Sequence, residues 1–156
     1  MDLESVKRLL ERGGEETESA SIDAVSNKVS FFDRLTLQGI QVDLIEPGRL
    51  VCSMKVPHYL VNSGNSLHSG VTGTLIDIVG AEAIRTVGAK TTGIAVEINV
   101  TYLRSIFPTD EIEIEGKVLH AGKAIGVVSV ELRNKKTGKI IARGRHTQYL
   151  AVSSKL

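Results

Sequence analysis

Apolar residues first recur at helical spacing and then, from residue 39, at alternate positions. That change of period divides the chain. Over residues 2–12, Leu3, Val6, Leu9 and Leu10 share one face among charged neighbours, which predicts an amphipathic helix. Gly13-Gly14 stops the pattern. Residues 15–26 are polar and acidic and read as a connection, with a second short helix expected over residues 21–32. The N-terminal helix is expected to pack on its own domain rather than on a partner. Beyond Gly39, Ile40, Val42 and Leu44 alternate with Gln41 and Asp43. Glu46-Pro47-Gly48-Arg49 places Pro and Gly where a tight turn takes them, and Leu50, Cys52, Met54 and Val56 resume the alternation. This is the pattern of a β-hairpin.

Residues 57–69 form a loop rich in Asn, Ser, Gly and His. Residues 71–87 are apolar on most sides, with Leu75, Ile78, Val79, Ala81, Ala83, Ile84 and Val87, and predict a buried helix. Gly70, Gly73 and Gly80 cost helix propensity and are expected to admit the close approach of another backbone. Strand-like alternation follows through Ile94 to Val100, Ile112 to Val118 and Val128 to Leu132, and a last strand is expected over residues 140–152. A sheet of this size must cover its apolar face, and one helix is available to do so. The expected fold class is α+β: a six-stranded antiparallel sheet wrapped around one central helix. The expected division is an N-terminal helical extension over residues 1–34, a main domain over 35–152 and a tail over 153–156.

Composition narrows the classes. Apolar residues are 42% and charged residues 24% of the 156, an ordinary globular balance. Lys plus Arg (19) nearly equals Asp plus Glu (18), which argues against a nucleic-acid binder. Cys52 is the single cysteine, so neither an intrachain disulfide nor a thiolate-rich metal site is expected. No apolar run approaches the ~18 residues of a membrane span. Met1-Asp2-Leu3-Glu4 is acidic where a secretory signal is basic.

Two features carry candidate chemistry. Asp77 stands mid-helix among residues expected to be buried, where carboxylates are rare unless paired or functional. The loop from Asn62 to Gly70 leads into that helix, whose N-terminus offers unpaired N–H groups and the positive end of the dipole. Such a terminus can stabilise a developing oxyanion, with Asn62 and His68 nearby. Ser69 and Asp77 are eight residues apart, roughly 12 Å along a helix. One carbonyl cannot touch both in one chain. A shared site therefore requires a second subunit, with two equivalent sites.

Asn62, then Leu67-His68-Ser69-Gly70 and Asp77, resembles the N-x5-H-G-G-x6-D segment of hotdog-fold acyl-CoA thioesterases. The nearest type is thioesterase superfamily member 2, with the bacterial phenylacetate-pathway thioesterases further off. The resemblance extends through Glu97 to Leu103, His120 to Lys123 and Asn134 to Thr147, and covers about residues 35–150. It implies a hotdog fold and hydrolysis of acyl-CoA to a free acid and coenzyme A, with coenzyme A as part of the substrate and no cofactor or metal. Asp77 would be the general base or nucleophile, and Asn62 would orient the water. The Ser69 N–H would polarise the thioester carbonyl with help from His68, and Asp77 would come from the neighbouring subunit. Two positions depart from the family: Ser69 replaces its first glycine, and Ala95 replaces a serine that helps position water or the Asp. Coenzyme A would lie along the turn His120-Ala121-Gly122-Lys123-Ala124-Ile125, with Tyr102, Arg104, Ser105 and Tyr149 at further contact positions.

The resemblance further implies a homotetramer built as a dimer of dimers. Ser154-Lys155-Leu156 is the tripeptide that a peroxisomal import receptor reads, so the expected location is the peroxisome, with the cytosol as alternative. Two other readings are weighed against the hydrolase. A hotdog hydratase pairs its His and acid at a different spacing. A non-catalytic acyl-CoA-binding module is kept open by Ala95.

Overall fold

The computed structural model describes residues 3–13 and 30–151. Residues 14–29 and the tripeptide Ser154-Lys155-Leu156 lie outside the described residues. The order is α1 (Leu3–Gly13), α2 (Phe31–Leu37), β1 (Gln41–Glu46), β2 (Arg49–Lys55), α3 (Ser69–Arg85), β3 (Ile94–Tyr102), β4 (Glu111–Ala121), β5 (Ile125–Asn134) and β6 (Ile140–Tyr149). A single 3₁₀ turn, His58–Leu60, lies in the loop before α3. The strands form one antiparallel six-stranded sheet in the order β1-β2-β4-β5-β6-β3, a hotdog fold with α3 as its filling.

The hairpin forms where the Pro-Gly turn placed it, with Gly48 at φ +84°. α2 starts at Phe31, where Ser30 caps it by accepting a hydrogen bond from the Asp33 N–H at 3.1 Å. The second helix expected over 21–32 meets α2 at residues 31–32, and its residues 21–29 lie outside the described residues. The boundary expected between residues 34 and 35 falls inside this helix. The last strand closes at Tyr149 rather than running to 152.

Both N-terminal helices pack on the body of the fold. Val6 and Leu10 are fully buried, and the Glu11 side chain accepts from the Val42 N–H at 3.3 Å. No helix among the described residues is long and apolar enough to cross a membrane.

The core lies between α3 and the concave face of the sheet. Leu75, Ile76, Val79, Ala83 and Ile84 of α3 meet Ile114, Val128, Val130, Leu132 and Ala142, all with no exposed surface. Each such side chain contributes about 1.5–3 kcal/mol by leaving water. Cys52 is part of this core; burial, with the Asp43 and Glu11 carboxylates adding to it, pushes its thiol up to about 12. It is a packing residue and no nucleophile.

The convex face is a ladder of charges. Glu115 and Glu131 stand directly opposite each other on β4 and β5. Arg49 at 2.7 Å, Arg133 at 3.2 Å and Lys117 at 3.3 Å surround Glu115, while Arg143 and Arg133 hold Glu131. Desolvation pushes both carboxyls up, yet these hydrogen bonds outweigh it and hold them below the usual range.

Replacing Ile76 with Ala should cost about 2–5 kcal/mol, since the side chain is fully buried against Gly144 of β6. Urea unfolding of the two proteins checks this; a loss below ~1 kcal/mol would mean that the helix–sheet interface is not close-packed.

Candidate active site

The sequence 62–70 folds into a tight loop that delivers the start of α3. Asn62 organises it: its Oδ1 accepts from the Gly64 and Ser66 N–H groups at 2.9 and 3.2 Å, and its Nδ2 donates to Ser66 Oγ at 3.1 Å. An amide nitrogen has two N–H groups, so one remains for a ligand. His68 is the N-cap of α3, its Nδ1 accepting from the Gly70 N–H at 2.9 Å. This fixes the proton on Nε2, which faces outward on an exposed side chain. The Ser69 N–H makes no hydrogen bond among the described residues, while the Ser69 carbonyl accepts from the Tyr102 hydroxyl at 2.8 Å. The result is a free, exposed amide at a helix N-terminus, where the macrodipole favours negative charge.

Asp77 lies two turns further on. Its side chain is 47% exposed, and its Oδ1 is 3.2 Å from Nε2 of His146, which is 1% exposed. The ring N–H is not aimed squarely at the oxygen, so the contact is electrostatic rather than a formed hydrogen bond. Behind the ring, Gln148 Nε2 is 3.1 Å from His146 Nδ1. Burial lowers the His146 pKa and outweighs the pull of the Asp77 carboxylate, so the ring is neutral near pH 7.

Gly80 makes this arrangement possible. A Cβ there would stand 2.9 Å from His146 Nδ1 and 3.2 Å from its Cβ. The close approach expected at the helix glycines is thus with a side chain at Gly80, not with a backbone, and Gly73 meets nothing within 4 Å.

The N-terminus and the middle of the helix border different cavities. One, of about 370 Å³, is lined by Asn62, Ser69, Tyr102, Arg104 and Ser105. The other, of about 340 Å³, is lined by Asp77, Ala95, Glu82 and His146, with Leu9 of α1 and Leu37 of α2 forming its far wall. Arg104 is tied down, donating to the Ile140 carbonyl at 2.7 Å. A third cavity of about 280 Å³ holds Ala121, Gly122 and Lys123 beside Lys90 and Thr91. Thr91 lines this third cavity, and the next residue, Thr92, lines the Asp77 cavity. His120 is the penultimate residue of β4, Ala124 and Ile125 lead into β5, and Tyr149 pairs with Ile125 and Ile94 at the end of β6.

His146 and Gln148 were not singled out from the sequence. The signal was present: both occupy inward positions of β6, in step with buried Ala142 and Gly144, where an apolar residue is expected. Among the described residues, no cluster of three His, Cys, Asp or Glu side chains could hold a metal ion.

Comparison with known proteins bears on this geometry. The family model of the Thioesterase superfamily matches residues 64–141. Mouse acyl-coenzyme A thioesterase 13 is 38% identical over 123 residues, which is 79% of this chain and 87% of that protein. Zebrafish thioesterase superfamily member 2 superposes with a TM-score of 0.80 at 32% identity, covering 97% of this chain and 99% of that one. The E. coli PaaI protein from the phenylacetic acid degradation operon superposes at 0.67 and 27% identity, covering 74% and 81%.

The neutral His146 gives a pH dependence of known sign. Below about pH 6.5 the unfolded chain takes up a proton there that the folded chain refuses, so stability falls as pH drops through this window. The Glu115 and Glu131 ion pairs lose their contribution only below about 4.5. Melting temperature should therefore decline between pH 6.5 and 5, as read by scanning fluorimetry, and a flat profile there would contradict a buried neutral His146.

Proposed function

The chain belongs to the thioesterase superfamily, and on that premise we propose that it hydrolyses acyl-CoA thioesters, with Asp77 as general base. The observation that carries the reading is the pairing of a half-exposed carboxylate, backed by buried His146, with a free helix N-terminal amide at Ser69. Water gives its proton to Asp77 as its oxygen bonds to the thioester carbon. The carbonyl electrons move onto oxygen, where the Ser69 N–H, the Asn62 amide and His68 Nε2–H receive the charge. Collapse of this intermediate breaks the C–S bond, and the departing coenzyme A thiolate takes up the proton from Asp77. Lys123 and the backbone of Gly122, in the third cavity, suit the phosphates of coenzyme A.

Ser69 and Asp77 sit on one helix, roughly 12 Å apart, so this chemistry takes two protomers. The edge strand β3 supports how they meet. It exposes Ile94, Val96, Ile98 and Tyr102, and an apolar edge of this kind pairs with another chain. Gly93 just before the strand and Ala95 near its start border the Asp77 cavity, while Tyr102 at its far end borders the Ser69 cavity. Antiparallel pairing of β3 with its copy about a two-fold axis brings the first end of one strand to the far end of the other. Each Asp77 then faces the Ser69 amide of the second protomer. A dimer of such dimers is our reading of the full assembly. The tripeptide Ser154-Lys155-Leu156 is proposed as the address for a peroxisomal import receptor.

Ala95 brings no hydroxyl to the Asp77 cavity, which favours a second reading as an acyl-CoA-binding module without turnover. Free-thiol release from acyl-CoAs of short, long and aryl acyl groups decides between them. Wild type should release thiol and Asp77→Asn should lose at least ~10²-fold in kcat while keeping its oligomer. Bound coenzyme A with no thiol release would leave the binding module.

The shared site has its own test. Ser69→Pro removes the amide hydrogen at the first helical position, where proline is tolerated, and His68 at φ −62° and ψ 133° already has the conformation that precedes a proline. Ser69→Pro and Asp77→Asn should each be inactive alone. Mixed, unfolded and refolded together, they should regain activity, because each hybrid dimer keeps one intact site. No regain would place both groups within one chain's site.

A further inference from the structure

Resting on the reading of Asp77 as the base, we propose that Gln148 is a positioning residue of this enzyme, setting the tautomer and orientation of His146 and through it the Asp77 carboxylate.

The argument runs from the carboxylate inward. Asp77 Oδ1 lies 3.2 Å from His146 Nε2, so that nitrogen must carry hydrogen; a lone pair there would face a negative charge. The imidazole is neutral, because burial disfavours its charged form. A neutral ring with hydrogen on Nε2 has a bare acceptor at Nδ1. Among the described residues, the side chain placed to donate to it is that of Gln148, whose Nε2 is 3.1 Å away. The amide orientation follows. The reverse placement would put the amide oxygen on Nδ1 and force the hydrogen off Nε2, against Asp77.

The setting of Gln148 supports a purpose beyond packing. It has no exposed surface, and its Oε1 has no hydrogen-bond partner among the described residues. A buried amide with one end unmet costs stability that an apolar residue of the same size would not. Its neighbours across the ladders are Ala95 on β3 and Gly126 on β5, and neither has a side-chain polar group. Ala95 lines the Asp77 cavity without a hydroxyl, so orientation of the acid in this chain falls to the β6 side of the cavity. Gly80 completes the device by leaving room for the ring between Gln148 and the Asp77 carboxylate.

The test uses the full-length protein, with histidine ring nitrogens labelled, and compares wild type with Gln148→Met and Gln148→Glu. Wild type should show His146, assigned by its loss in His146→Asn, as the neutral Nε2–H form. Gln148→Met keeps the volume and removes the donor. It should shift the ring toward a mixture of tautomers and lower kcat about tenfold with KM within twofold, a part of the ~10²–10⁴ that a positioned base contributes. Gln148→Glu supplies an acceptor instead and should convert the ring to the doubly protonated form near pH 7. Thermal melting confirms that each variant is folded at the assay temperature.

A wild-type Nδ1–H spectrum overturns the proposal, and so does a Gln148→Met protein with unchanged kcat. The two readings fail separately: activity retained in Asp77→Asn removes the base, while the ring spectra test the Gln148–His146 bond without any turnover.

Discussion

How deeply α3 sinks into the sheet governs both the stability and the site of this molecule. The helix presents Gly80 to β6, and the His146 ring fills the space where a side chain would be. On the sheet, Gly116, Gly126 and Gly144 receive Ala83, Ile84 and Ile76 in the same way; an added Cβ would stand 3.2, 2.9 and 2.7 Å from those side chains. Helix and strands thus interlock by pairing absent side chains with large ones. The arrangement gains close packing for the core, and it carries Asp77 to within 3.2 Å of a buried imidazole.

A single rigid helix then distributes the chemistry. Its N-terminus presents a free amide and a dipole; its middle presents a carboxylate. The fixed rise of the helix prevents these from meeting within one chain, and the exposed edge of β3 borders the cavities at both levels. The N-terminal helices add to the Asp77 cavity: Leu9 and Leu37 are part of its lining.

The convex face answers a different demand. Alternation along β4, β5 and β6 puts apolar residues inward and charges outward, and Glu115 opposite Glu131 would be repulsive without the surrounding arginines. The resulting ladder satisfies carboxylates that the sheet half-buries, and it gives that face a polar character distinct from the apolar edge at β3.

Periodicity by itself determined the elements, because a half-buried strand and a buried helix must repeat every second or every 3.6 residues to keep apolar surface on one side. The hairpin at Pro47-Gly48, the central helix and the alternation of β3 to β6 were legible on those grounds, as was the anomaly of Asp77 among apolar neighbours. The eight-residue gap from Ser69 to Asp77 was legible too, and it keeps those two groups roughly 12 Å apart within one chain. Tertiary structure alone showed Ser30 as the cap from which α2 starts at Phe31. It alone revealed His146 and Gln148, since their roles depend on β6 lying under Gly80, some 66 residues away in the chain. It also turned Asn62 and His68 from candidate catalytic groups into residues that build the loop and cap the helix as well. Spacing along a chain reports which face a residue takes; which other face it meets is a property of the closed fold.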